Sequence, residues 1–161
     1  MVLAPYVAKV SAVDISPSML AKLTEKLELQ DKVDTFCQGI LEQPLNQKFD
    51  VIISAMAMHH VEDTYKMIQA FAVHVKEGGQ VALADLDKED GSFHPTDIEG
   101  VYHDGFDQDM LKQKFVDAGN KGMKDLCSVR FFGCISITPP SILIFSSKLR
   151  FGAYLCLDSL K

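Results

Sequence analysis

The sequence predicts an α/β fold in which helices cover the faces of a mostly parallel β-sheet. Apolar runs of strand length alternate with stretches of helical spacing, in the order β-α-β-β-α-β-loop-α. The runs at 7–13, 51–53 and 80–86 consist mainly of Val, Ala, Ile and Leu, as in strands that are buried on both faces. With 161 residues, the chain has the length of one domain.

The first predicted unit is a strand over residues 7–13 that ends at Asp14 and is followed at once by a helix. Ser16 is suited to cap this helix and Pro17 to begin it, because the first helical turn does not need the N–H that proline lacks. Apolar residues then recur at helical spacing, at Met19, Leu20, Leu23 and Leu27. A carboxylate at such a junction is either a turn residue or, in nucleotide-binding α/β folds, an acceptor for ribose hydroxyls.

The middle of the chain repeats these patterns. Strands are predicted at 33–38 and from residue 49, with a loop rich in Gly, Pro and Asn between them. The next helix is predicted to end at the Gly78–Gly79 pair and to lead into the strand at 80–86. Its apolar face is Ile68, Phe71, Ala72 and Val75.

A long polar segment over 87–106 follows, and its length is typical of a functional loop. Asp107 is expected to cap a last helix that stops at Gly119. The apolar residues of that helix are Met110, Leu111, Phe115 and Ala118.

The composition changes near residue 126, so we divide the chain into a domain at 1–125 and a hydrophobic segment at 126–161. Two alternatives are open for the segment. It is either a terminal β-hairpin, with strands near 128–137 and 141–146 that turn at Pro139–Pro140, or a stretch without stable structure. A membrane span is not expected, because the two prolines interrupt the apolar run.

Composition limits the partners and the compartment. The net charge of −6 does not favour nucleic-acid binding. The four cysteines, at 37, 127, 134 and 156, lack the paired spacing of a zinc site and fit free, buried thiols in a reducing compartment. The N-terminus has no signal-peptide pattern, so a cytoplasmic, non-membrane protein is expected.

Residues 1 to about 120 resemble the class I S-adenosylmethionine-dependent methyltransferases. The resemblance is carried by SAVDISPSML (11–20), FDVIISAMAMHHVED (49–63), HVKEGGQVALADLDKEDGSF (74–93) and HDGFDQDMLKQKFVDAG (103–119). It implies a Rossmann-like sheet, S-adenosylmethionine as cofactor, and a transferase activity toward a small-molecule or protein acceptor.

The resemblance also implies roles for individual residues. Asp14 matches the family's acidic residue that holds the ribose hydroxyls, and Ile15 and Met19 would cover the adenine. Gly39 and Ile40 fall where many members place a carboxylate for the adenine amino group, so here they offer only backbone. The methionine end would be lined by Ser54, Ala55 and Met56.

The family's first strand and glycine-rich loop have no match in this sequence, so the chain resembles a truncated member. We therefore expect a sheet that lacks that strand, with unpaired backbone groups between the strand ending at Asp14 and the strand beginning near residue 49. Exposed edges of this kind predict self-association.

His59 is the candidate catalytic residue, because a histidine after the fourth family strand can take a proton from the acceptor near neutral pH. His60 is expected to pack or to cap. Asp85 and Asp87 either orient an amine substrate or are solvated loop carboxylates. His94 and His103 match no compact ligand pattern, so no metal is predicted.

Three functions remain open from the sequence. The first is a methyltransferase. The second is a non-catalytic, truncated fragment that binds a partner or has no function. The third is a nicotinamide-dependent oxidoreductase, which is disfavoured because the sequence has no G-x-G-x-x-G run.

Overall fold

The structure is a computed structural model that describes residues 7–26, 31–91, 93 and 99–119, together with the backbone of 153–160. The hairpin predicted at 128–137 and 141–146 lies outside these residues. In chain order, the elements are β1 (Val7–Asp14), α1 (Pro17–Thr24), β2 (Val33–Cys37), β3 (Phe49–Ala55), a 3₁₀ turn (Met58–His60), α2 (Thr64–His74), β4 (Val75–Ala84), α3 (Gln108–Gly119) and β5 (Ala153–Leu160).

The five strands form one sheet in the order β2-β1-β5-β3-β4. The β1–β2 and β3–β4 pairs are parallel, and β5 is antiparallel to both β1 and β3. The α/β fold is therefore confirmed, whereas the predicted gap between β1 and β3 is wrong. Each of these strands would otherwise present an unpaired row of N–H and C=O groups, and the backbone of β5 pairs with both rows. The reason for expecting self-association through these two strands is removed as well.

The β1–α1 unit forms where the sequence predicts it, but α1 ends at Thr24, before the predicted apolar position Leu27. Ser16 is the N-cap with extended backbone, and Pro17 is the first helical residue. The side chain of Ser16 makes no capping bond to the helix and instead lies 3.0 Å from the hydroxyl of Ser18. The backbone N–H of Ser16 donates to Oδ1 of Asp14 over 2.7 Å, so the carboxylate that ends the strand also fixes the start of the helix.

The boundary between α2 and β4 differs from the prediction. Helix α2 ends at His74, and β4 begins at the next residue, Val75, which pairs with Phe49. The register then shifts, because Val51 pairs with Gln80, and residues 76–79 form a bulge. Gly78 has a φ of +73° in this bulge, so the glycine pair serves an irregular strand rather than a helix end.

Two clusters of buried residues cover the sheet. The larger cluster joins the sheet to α2 and α3, and includes Ile52, Ile68, Phe71, Leu111 and Phe115. The smaller cluster packs α1 against the sheet, and includes Val10, Ala12, Leu20, Val51 and Ile53. Two expectations are corrected here: the side chains of Met110 and Cys37 are exposed rather than buried.

The segment at 99–106 returns to the sheet beside the residues that follow β4. Phe106 donates its N–H to the Leu86 carbonyl over 3.0 Å and accepts from the N–H of Lys88 over 3.1 Å. Gly105, with a φ of +78°, makes this approach possible, because a Cβ at this position would collide with the carbonyl of Asp87. The loop is thereby held at the carboxyl end of the sheet.

Candidate functional site

The carboxyl ends of β1 and β3 meet at the same edge of the sheet. Val13 of β1 and Ser54 of β3 are both in register with Tyr154 of β5. One strand separates β1 from β3, so their backbones lie about 10 Å apart. Asp14 and Ala55, which end the two strands, therefore lie on opposite sides of the amino end of β5.

Asp14 is a buried carboxylate with spare hydrogen-bonding capacity. Only 3% of the residue is exposed, and Oδ1 accepts the N–H of Ser16. Oδ2 is buried and has no hydrogen-bond partner within the described part of the chain. Burial raises the pKa of Asp14 above its ordinary value of 3.8, and the Ser16 bond offsets part of this effect. A buried acceptor without a partner is what the hydroxyl of a ligand would satisfy.

We expect the Asp14→Asn variant to be more stable than the wild type at pH 7. Because the folded state raises the pKa of this carboxyl, its contribution to stability is fully present below 3.8 and is lost as the pH rises through the folded value. The amide carries no charge and keeps an acceptor for the Ser16 N–H. Urea midpoints of both proteins at pH 7 and near pH 4 test this, and the advantage of the variant should shrink toward pH 4. An equal difference at both pH values would contradict the assignment.

The residues predicted to contact adenine differ in how accessible they are to a ligand. Ile15 is 78% exposed beside Asp14, and Met19 is buried in the first turns of α1. Gly39 lies half-buried in the loop after β2. The side chain of Ile40 belongs to the larger core cluster, so only the backbone of Ile40 is available to a ligand.

The end of β3 supplies the second part of the site. Ser54 is fully buried, and its Oγ has no hydrogen-bond partner among the residues that the structure describes. Ala55 is half-buried and ends the strand. Met56 follows with a φ of +53°, a left-handed conformation that is uncommon for a residue other than glycine.

His59 and Asp85 form a buried pair behind this turn. Nδ1 of His59 lies 2.6 Å from Oδ1 of Asp85, and His59 is only 1% exposed. Oδ2 of Asp85 accepts the N–H groups of Ala57 over 3.0 Å and Met58 over 2.8 Å. Asp85 is thus not a solvated loop carboxylate. The pair was not predicted from the sequence, although both residues follow neighbouring parallel strands, whose carboxyl ends meet at one edge.

The remaining candidates lie around this pair. His60 donates from Nδ1 to the carbonyl of Gly100 over 2.7 Å, and His103 donates from Nε2 to the carbonyl of Val61 over 2.9 Å. Asp87 is exposed. Across residues 7–26, 31–91, 93 and 99–119, no three His, Cys, Asp or Glu side chains are grouped to hold a metal ion. Within the described helices, none has the length and apolar character needed to span a membrane.

Comparisons with known proteins agree with this arrangement. A family profile described as "Methyltransferase domain" matches residues 1–83, which include Asp14, the end of β3 and His59. An uncharacterized methyltransferase of Schizosaccharomyces pombe is 26% identical to this chain in an alignment 131 residues long that covers 71% of this chain and 46% of the relative. The chain therefore spans less than half the length of that relative. Since the family profile covers more than half of the sequence, the chain belongs to the methyltransferase domain family.

Proposed function

We propose that this chain binds S-adenosylmethionine across the carboxyl ends of β1 and β3 and takes part in methyl transfer to a small-molecule or protein acceptor. The proposal is supported chiefly by Asp14, whose Oδ2 is buried at the end of β1 and has no hydrogen-bond partner among the residues that the structure describes. When bound, the cofactor supplies an electrophilic methyl group: the bond from sulfur to carbon breaks as the acceptor forms its bond to that carbon.

Asp14 would accept hydrogen bonds from the ribose hydroxyls of the cofactor. Its Oδ1 is already held by Ser16, which fixes the carboxylate and directs its capacity for new bonds to Oδ2. The exposed side chain of Ile15 and the first turn of α1 at Met19 offer apolar cover for adenine. Gly39 and Ile40 would contribute only backbone groups, so we expect the adenine edge to be bound less tightly than the ribose.

Ser54, Ala55 and Met56 would line the methionine end of the cofactor. The side chains at 54 and 55 are small, so the wall of the site can approach the sulfonium closely and keep water away. In a direct displacement, much of the acceleration comes from holding donor and acceptor in line. The buried Oγ of Ser54 adds one polar group that could orient the methionine part.

His59 as the acceptor of the substrate's proton remains a prediction. The Asp85 oxygen accepts in their bond, so Nδ1 of His59 is the donor, and in the neutral ring the lone pair is then on Nε2. That tautomer suits a base. The ring is 1% exposed, however, so it reaches a substrate only if the turn that carries it opens.

Titration calorimetry with S-adenosylhomocysteine tests the proposal. We expect wild-type protein to bind in the micromolar range and Asp14→Ala to bind about 10- to 100-fold more weakly, which corresponds to the loss of a charge-assisted hydrogen bond. Glu25→Ala, which removes an exposed carboxylate at the end of α1, is the matched control and should bind as the wild type does.

Absence of binding by the wild-type protein would reject the proposal and favour the non-catalytic alternative. Equal affinities for the wild type and Asp14→Ala would reject the role of Asp14 while leaving cofactor binding in place.

A further inference from the structure

The carboxylate of Asp85 is fully engaged by this chain. Oδ2 accepts the N–H groups of Ala57 and Met58, and Oδ1 accepts the Nδ1–H of His59 and the N–H of Leu86 over 2.9 Å. A carboxylate offers about four lone-pair positions, so these four bonds leave Asp85 little capacity to bind a substrate. Its side chain is also fully buried. We therefore assign this carboxylate a role in holding other groups of the protein rather than in binding a ligand.

The turn that Asp85 holds is under backbone strain. Met56 has a φ of +53°, and a left-handed conformation costs a residue with a side chain about 1–2 kcal/mol. Such a conformation persists when its surroundings fix it. Here, three successive N–H groups, those of Met56, Ala57 and Met58, are accepted by the last residue of β4 and the residue that follows it. The first donates to the carbonyl of Ala84 over 2.7 Å, and the other two donate to Asp85.

His59 also connects the turn after β3 to the loop at 99–106. The carbonyl of His59 accepts the N–H groups of Tyr102 over 2.9 Å and His103 over 3.3 Å, while the ring of His59 is bound to Asp85. One buried carboxylate thus fixes the strained turn and the orientation of the His59 ring, while the backbone carbonyl of His59 holds the adjoining loop.

We propose that Asp85 is a positioning residue for the methionine end of the cofactor. By holding the turn at residues 56–58, it keeps Ser54, Ala55 and Met56 in the arrangement that contacts the donor, and it touches neither donor nor acceptor itself. His59 contributes by donating a hydrogen bond from its ring to the same carboxylate. This inference rests on the proposed function, because it presumes that the end of β3 lines a cofactor site.

The test compares two ligands that differ only at the end that Asp85 is inferred to organise. S-adenosylhomocysteine has the methionine part, and adenosine lacks it. We expect Asp85→Asn to bind S-adenosylhomocysteine about 10-fold more weakly and adenosine unchanged, since a ΔΔG of about 1.4 kcal/mol is tenfold in affinity. Asp14→Ala should weaken both ligands. Asp87→Asn, the same substitution at an exposed carboxylate two residues away, should change neither.

A spectroscopic measurement separates this role from general destabilisation. In Asp85→Asn the new carbonyl oxygen can still accept from Ala57 and Met58, but the NH₂ group takes the place of Oδ1. It then faces Nδ1 of His59 and leaves the N–H of Leu86 without its acceptor. The ring must accept there, so its proton moves to Nε2. Nitrogen chemical shifts of the His59 imidazole should report an Nδ1-protonated ring in the wild type and an Nε2-protonated ring in the variant.

His59→Phe provides the inference with a second test should Asp85→Asn fail to fold. Phenylalanine retains a ring at the buried position and leaves three backbone donors on Asp85. We expect about 3-fold weaker S-adenosylhomocysteine binding and unchanged adenosine binding. A role in proton transfer alone would leave both affinities unchanged, and that result would overturn the inference. So would an equal loss of both ligands in Asp85→Asn. Failure of the wild type to bind either ligand would instead reject the proposed function.

Discussion

Cys156→Pro and Leu157→Pro should each lower the free energy of unfolding by about 3 kcal/mol or more, because a proline within a central strand removes a ladder hydrogen bond and distorts the strand. Strand β5 has a partner on each side: Cys156 pairs with Ser11 and Ile52, and Leu157 pairs with Val10 and Val51. Successive N–H groups along a strand point to opposite sides. Single proline substitutions at two neighbouring positions therefore each remove a ladder hydrogen bond only if the strand has a partner strand on both sides.

Urea denaturation of the two variants measures this effect, and β2 supplies the matched control. Within the described part of the chain, that strand lies at the edge of the sheet and pairs only with β1. Asp34→Pro and Thr35→Pro should differ from each other, because the N–H of one residue faces β1 and that of the other faces solvent. A large loss for only one of the two β5 variants would mean that β5 is an edge strand and would contradict the sheet order described above.

The position of β5 in the sheet could not be predicted from local sequence patterns. The units β1–α1 and β3–α2, and the helix α3, were predictable because each is specified by apolar spacing and by capping residues close in sequence. The pairing of β5 with β1 joins Leu157 to Val10 across almost the whole chain. No spacing rule relates segments that far apart, and the apolar character of residues 126–161 left open both a terminal β-hairpin and a stretch without stable structure.

The boundary at His74 and Val75 has a different cause. Gly78 and Gly79 are typical of the end of a helix, and the helical spacing extends to Val75. In the structure, pairing between Val75 and Phe49 begins the strand early, and the two glycines accommodate the bulge that restores register at Gln80. Tertiary pairing decided between two structures that the local sequence allows equally well.

The candidate site was predictable in part for a geometric reason. Asp14 and the residues 54–56 follow parallel strands, and the carboxyl ends of such strands meet at one edge, so their proximity could be expected from the sequence. The bond between His59 and Asp85 depends on side-chain rotamers and on the left-handed Met56, which no residue pattern specifies. The sequence therefore named the candidate residues, and the structure shows which of them lie in contact.

Phe71→Ala should lower the free energy of unfolding by about 3–5 kcal/mol, the usual range for removing a buried phenylalanine. Phe71 is fully buried on α2, in the cluster that joins the sheet to α3 through Ile52 and Phe115. For a domain whose total stability is about 5–15 kcal/mol, this is a large share. Val73→Ala on the same helix is the control. Its side chain is 65% exposed, so its change should stay within about 0.5 kcal/mol.

The same variant tests whether the core and the site are separable. Helix α2 begins at Thr64, capped by Asp63, whose side chain accepts the N–H of Lys66 over 3.0 Å, and Phe71 lies about two turns further on. The backbone of the turn at residues 56–58 is held by hydrogen bonds to Ala84 and Asp85, whereas the Met58 side chain packs in the same cluster as Phe71. The folded fraction of Phe71→Ala should therefore bind S-adenosylhomocysteine as the wild type does, measured below the onset of its urea transition. If folded Phe71→Ala instead bound S-adenosylhomocysteine more weakly than the wild type, the packing of α2, and not the contact from Asp85, would position the end of β3.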